Sequence, residues 1–136
     1  MTDREIQDLF RQEATERIET MEAALLQYDP RQNAEETLDD LFRRLHTIKG
    51  SGNMAGFLVL GSYVHRLESA LAVVKSGAVR PGSGFASDFL KVCDILRDLV
   101  QADPEAPWTG MDAGAVFPSL GTTSSTPLPA PPTRTA

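Results

Sequence analysis

A chain of 136 residues has room for one domain and little for a second, and a 41% hydrophobic share is ordinary for a globular protein with a core. The formal net charge of -6, with no Lys/Arg cluster, argues against nucleic acid as a partner, because phosphate backbones are held by basic patches. No apolar run reaches bilayer length, the polar start Met1–Glu5 has neither the basic nor the apolar region of a signal peptide, and the single cysteine, Cys93, allows no internal disulfide or zinc-ligand spacing; the expectation is a cytoplasmic protein off the membrane.

The first helix is predicted from about Asp3 to Gln27, with Ile6, Phe10, Ile18, Met21 and Leu25 on one face. Thr2 or Asp3 can cap it, and Tyr28-Asp29-Pro30 breaks it. The second runs from about Asn33 to Gly52 on the stripe Leu38, Leu41, Leu45 and Ile48, with a stop expected in the cluster Gly50, Ser51, Gly52 and Gly56. The third, about Phe57 to Lys75, carries Leu60, Val64, Leu67, Leu71 and Val74, and Arg80-Pro81-Gly82 is a turn signal after it. The fourth, about Ser87 to Gln101, points Phe89, Val92, Leu96 and Leu99 inward, with Ser87 as N-cap. Cys93 falls in that apolar pattern as a small buried hydrophobe.

No segment alternates as a strand does, so the fold class is all-α, and short loops between helices with single apolar faces give an antiparallel four-helix bundle over residues 1–102. Burying one Leu or Ile side chain stabilises by roughly 1.5–3 kcal/mol, so four such stripes suffice for a core. Residues 103–136 are rich in Pro, Gly, Ser and Thr and read as a linker or tail. Trp108 and the apolar patch Ala113–Leu120 leave room there for a short extra helix near 112–118, docked on the bundle.

The chemistry gathers in Leu41-Phe42-Arg43-Arg44-Leu45-His46-Thr47-Ile48-Lys49-Gly50-Ser51-Gly52. His46 lies one residue off the core stripe, at the boundary with solvent. Lys49 is one turn along on the same face, and Gly50 adds no side chain. An imidazole beside a positive charge and a bare backbone patch suits phosphoryl transfer, which needs a nucleophile, positioning and charge neutralisation. On the third helix His65 and Glu68 are each one residue off their own stripe. If the two helices are neighbours, Glu68 can take a hydrogen bond from one ring nitrogen of His46 and leave the lone pair of the other free.

His46-Thr47-Ile48-Lys49-Gly50-Ser51-Gly52, with Gly56-Phe57 and His65-x-x-Glu68, resembles the signature of histidine-containing phosphotransfer (HPt) domains, in particular those of CheA-type chemotaxis kinases, over roughly the first hundred residues. The resemblance implies that His46 is the phosphorylated residue and that Glu68, His65 and Lys49 form its hydrogen-bonding network. It implies a CheA-type kinase catalytic domain, which uses ATP, as donor and a CheY-like response regulator, which uses Mg²⁺, as acceptor. The domain itself is expected to bind no cofactor and no metal, and no nucleotide-binding motif is seen. The regulator is expected to dock across the second and third helices over Phe42, Arg43, Gly50, Asn53 and, one turn before His65, Gly61. Two other readings compete: a metal site of His46, His65 and Glu68, for which the carboxylates are too few, and a purely structural helical adaptor.

Overall fold

The computed structural model describes residues 2–77 and 84–104. Four helices follow in order, α1 (Asp3–Leu26), α2 (Ala34–Met54), α3 (Leu58–Lys75) and α4 (Phe85–Gln101), and no strand occurs among the described residues. They form an antiparallel bundle in which α1 packs on α2 and α4, and α3 on α2 and, more lightly, α4. No helix among the described residues is long and apolar enough to cross a membrane. The segment 105–136, with its expected extra helix near 112–118, and the turn at Arg80-Pro81-Gly82 lie outside the described residues.

The core is built from the predicted stripes. Leu38, Leu41, Leu45 and Ile48 of α2, Leu60, Val64, Leu67, Leu71 and Val74 of α3, and Phe89, Val92, Leu96 and Leu99 of α4 are all buried. Cys93 is buried among them, and burial pushes its thiol up to about 12, which keeps it protonated and unreactive. On α1 the buried face starts one turn later than predicted. Ile6 is exposed, and Phe10, Ala14, Ile18, Met21 and Leu25 make the stripe, with the small Ala14 filling the apparent eight-residue gap. Thr2 caps α1 in a full capping box, accepting from Glu5 N at 3.1 Å while the Glu5 side chain accepts from Thr2 N at 2.8 Å.

Two predicted boundaries are corrected. α2 does not stop at Gly52 but continues to Met54, because Gly52 serves packing. A Cβ there would lie 3.0 Å from the Leu60 side chain and 3.2 Å from that of Phe10. The stop belongs to Gly56, at φ 92°, in a Schellman arrangement: Phe57 N donates to Gly52 O at 2.7 Å and Gly56 N to Asn53 O at 3.2 Å. α4 starts at Phe85, with Gly84 at the N-cap and no side-chain cap, so Ser87 lies inside the helix. Phe85 is fully buried against Tyr28 and Phe89, at centroid distances of 5.6 and 5.8 Å, and that burial outweighs the capping that Ser87 offers.

Polar links tie the helices at their rims. Glu22 of α1 holds the Arg97 guanidinium of α4 through both carboxylate oxygens, and that hydrogen bond pushes the Arg97 pKa up. Arg11 of α1 donates from Nε to Val100 O at 2.8 Å and from Nη2 to Ala102 O at 3.2 Å, occupying the last carbonyls of α4. Its guanidinium lies 5.1 Å from the centre of the Phe57 ring, at the α2–α3 turn. Leu45, fully buried and next to His46 in sequence, tests how far the bundle rests on its core. Leu45→Ala is expected to destabilise the fold by about 2–5 kcal/mol in chemical denaturation, whereas a change within measurement error would mean the position is not packed.

Candidate functional site

His46 and Glu68 face each other because α2 and α3 run antiparallel in strict register. Asp39 meets Lys75, His46 meets Glu68, and Asn53 meets Gly61, each step seven residues forward on α2 and seven back on α3. Seven residues bring an α-helix back to within about 20° of the same face, so the three pairs form rungs along one seam. The middle rung is the candidate site.

His46 Nδ1 lies 2.8 Å from Glu68 Oε2, and Lys49 Nζ lies 2.6 Å from Glu68 Oε1. Glu68 is only 6% exposed. Although Glu68 lies one residue off the apolar stripe, its side chain is enclosed between the helices. Lys49, half-buried, partners the charge that this burial would otherwise strand. The His46 side chain, by contrast, is 68% exposed. A carboxylate only accepts hydrogen bonds, so Nδ1 of the neutral ring carries the proton and donates it to Glu68, and Nε2 keeps its lone pair. The site therefore offers an exposed nucleophilic nitrogen on a ring fixed from behind by a buried anion.

The remaining predicted residues separate into those near this arrangement and those outside it. Gly50 is exposed, with no heavy atom within 4 Å of a Cβ built there, and Asn53 is exposed two turns beyond His46. Arg43 is exposed and pairs with Asp40 at 3.1 Å; Asp40 also takes Arg44 Nε at 2.9 Å. Phe42 is partly buried against the core rim, and Lys75 Nζ stands 4.5 Å from its ring centre. His65 does not join the network: it is exposed, and its ring makes no hydrogen bond or ion pair among the described residues, while the two oxygens of Glu68 meet His46 and Lys49. Gly61 does not lie on an accessible strip either. It is buried beneath Asn53, whose Oδ1 would be 2.0 Å from a Cβ, so its role is to let α2 and α3 approach closely. Lys75 and Asp39 were not singled out from the sequence, although the seven-residue steps from Glu68 and His46 lead straight to them. Among the described residues no group of three or more His, Cys, Asp or Glu side chains is placed to hold a metal ion.

The Hpt domain profile matches residues 5–103. The chain is 33% identical over 98 residues to the chemotaxis protein CheA of Rhizobium meliloti, a match covering 72% of this chain and 13% of that protein. It is 29% identical over 91 residues to the gliding motility regulatory protein of Myxococcus xanthus, covering 66% of this chain and 11% of that one. The chain thus spans only a small fraction of these relatives. Among solved structures it is similar to the phosphorylated P1 domain of CheA3 in complex with CheY6 from R. sphaeroides, with a TM-score of 0.70, 26% identity, and coverage of 89% of this chain and 95% of that one.

The geometry predicts the resting tautomer of His46. Long-range ¹H–¹⁵N spectra of the folded chain should show the proton on Nδ1, and Glu68→Ala should lose that preference while the bundle stays folded. An unchanged tautomer ratio in the variant would contradict the contact.

Proposed function

The chain belongs to the Hpt domain family, and on that premise we propose that His46 accepts a phosphoryl group from the ATP-using catalytic domain of a CheA-type kinase and donates it to an aspartate of a CheY-like response regulator. The observation that carries the reading is the division of labour on one ring, with Nδ1 held by buried Glu68 and Nε2 free on an exposed side chain.

In the first half-reaction the Nε2 lone pair forms a bond to the γ-phosphorus of ATP, and the bond to the ADP oxygen breaks. In the second, an aspartate oxygen of the regulator forms the new bond to phosphorus, the N–P bond breaks, and its electron pair returns to Nε2. The Nδ1 proton stays on the ring throughout, donated to Glu68, which balances the positive charge on the phosphorylated imidazole. Lys49 keeps Glu68 in place through its other oxygen, so its role is positioning of the carboxylate. Charge on the phosphoryl group is then neutralised by the partner, and Mg²⁺ on the regulator supplies that function. In-line transfer needs close approach, and the exposed backbone at Gly50 beside His46 allows it; the docking face is the α2–α3 seam. A cytoplasmic place of action goes with partners that use ATP and Mg²⁺.

Two variants test the reading. With a CheA-type kinase core and labelled ATP, the chain should take up acid-labile, base-stable label, His46→Gln should take up none, and NMR should place phosphorus on Nε2. Label retained in the variant, or phosphorus on Nδ1, would overturn the assignment. Glu68→Ala should slow phosphorylation about a hundredfold, as loss of an orienting and proton-holding group does. Its thermal unfolding, followed alongside, should show that the slowed protein is still folded, and wild-type kinetics in a folded variant would remove Glu68 from the mechanism.

A further inference from the structure

The rung seven residues before His46 carries a feature that phosphoryl transfer at His46 does not use. Lys75, the last residue of α3, lies across the seam with its Nζ 4.5 Å from the Phe42 ring centre and 3.0 Å from Asp39 Oδ1. Phe42 stands one turn before His46, and Asp39 two turns before it. Two turns of helix span about 10 Å, whereas a protein interface of ordinary size covers roughly 800 Å² on each partner. A protein that brings an aspartate to His46 along this seam therefore reaches Lys75 as well.

The ammonium group is arranged in advance. An aromatic face lies beneath it and a carboxylate beside it, and its place at the α3 C-terminus, where the helix dipole is negative, favours a cation. A charge already held in place loses little freedom when a partner binds. The arrangement also remains open to solvent, since the Lys75 and Asp39 side chains are 34% and 53% exposed. Arg43, one turn before His46 and held by Asp40 at 3.1 Å, extends the same edge. Asp39 and Asp40 pair with these two cations, so the edge is locally neutral in a chain of net charge -6, and Lys75 and Arg43 are charges held in place rather than an excess of positive charge. The phosphoryl acceptor proposed above brings its receiving aspartate to this edge, and a carboxylate beside that aspartate would meet an ammonium group already held in place.

We propose that Lys75, seated on Phe42, is a docking residue that contacts an acidic side chain of the phosphoryl-accepting regulator beside its receiving aspartate. The inference rests on the phosphotransfer reading, but it concerns association with the acceptor alone. Neither the nucleophile nor its orientation involves Lys75, and an exposed ion pair of this kind contributes little to the fold.

The test uses the full chain, first phosphorylated by the kinase core, and a CheY-like regulator that accepts the phosphoryl group from the wild-type chain. Second-order transfer rates are measured across a salt series for wild type, Lys75→Glu and Lys75→Arg. Lys75→Glu should transfer at least about tenfold more slowly at low salt, with a flattened salt dependence, because electrostatic complementarity acts chiefly on the rate of encounter. Lys75→Arg should keep most of the rate. Spontaneous hydrolysis of the phosphorylated chain should be the same for all three, which separates docking from any change at His46. Equal transfer rates and equal salt slopes for wild type and Lys75→Glu would overturn the docking role, as would a loss in Lys75→Glu that salt does not alter. Failure of the underlying reading looks different: the wild-type chain itself would take no label, or would pass none to any regulator.

Discussion

A carboxylate buried between two helices has to be satisfied, and most of the site follows from how Glu68 meets that requirement. Its two oxygens take one imidazole N–H and one ammonium group, both from α2. The cost of bringing Glu68 out of water is offset only while His46 and Lys49 stay within hydrogen-bonding distance, so the same contacts that settle the charge also orient the ring. Stability and reactivity are coupled here: the side chain that most needs its partners is the one that leaves Nε2 facing solvent.

That coupling depends on how closely α2 and α3 approach. Gly61 on α3 lies under Asn53, and Gly52 on α2 lies against Phe10 and Leu60, so at both positions a larger residue would have to displace a neighbour. The pairs 39–75, 46–68 and 53–61 show that the close approach keeps register along the seam. The site is thus one rung of a ladder whose spacing is set by small residues at one end and by Lys75, Phe42 and Asp39 at the other.

The facing of His46 and Glu68 was legible in the sequence because each lies one position from an apolar stripe, and such an offset gives the angle of a side chain around its helix. Depth was not legible. The offset is the same for a carboxylate at the rim and for one enclosed at 6% exposure, and only the distance between the helices decides which results. His65 shares the offset of Glu68, and the pattern could not show that Lys49 would take the second oxygen and leave His65 outside. The glycines near the end of α2 read alike as stops, yet Gly52 serves a contact within the helix and Gly56 alone takes the left-handed turn. At α4, Ser87 was a local capping signal overruled by a distant one, the burial of Phe85 beneath Tyr28.

The brace formed by Arg11 has a mechanical consequence. It grips the chain at Val100 and Ala102 and rests on Phe57, so the end of α4 is tied to α1 and to the base of the α2–α3 turn, in addition to its buried side chains. The last described turn of α4 is thereby anchored across the molecule from the Lys75 end of the seam. Glu22 and Arg97 form a second fastening along the same α1–α4 pair, on the side of the bundle away from the rung that holds His46. The end of α4 is thus fixed by contacts separate from those that aim the imidazole.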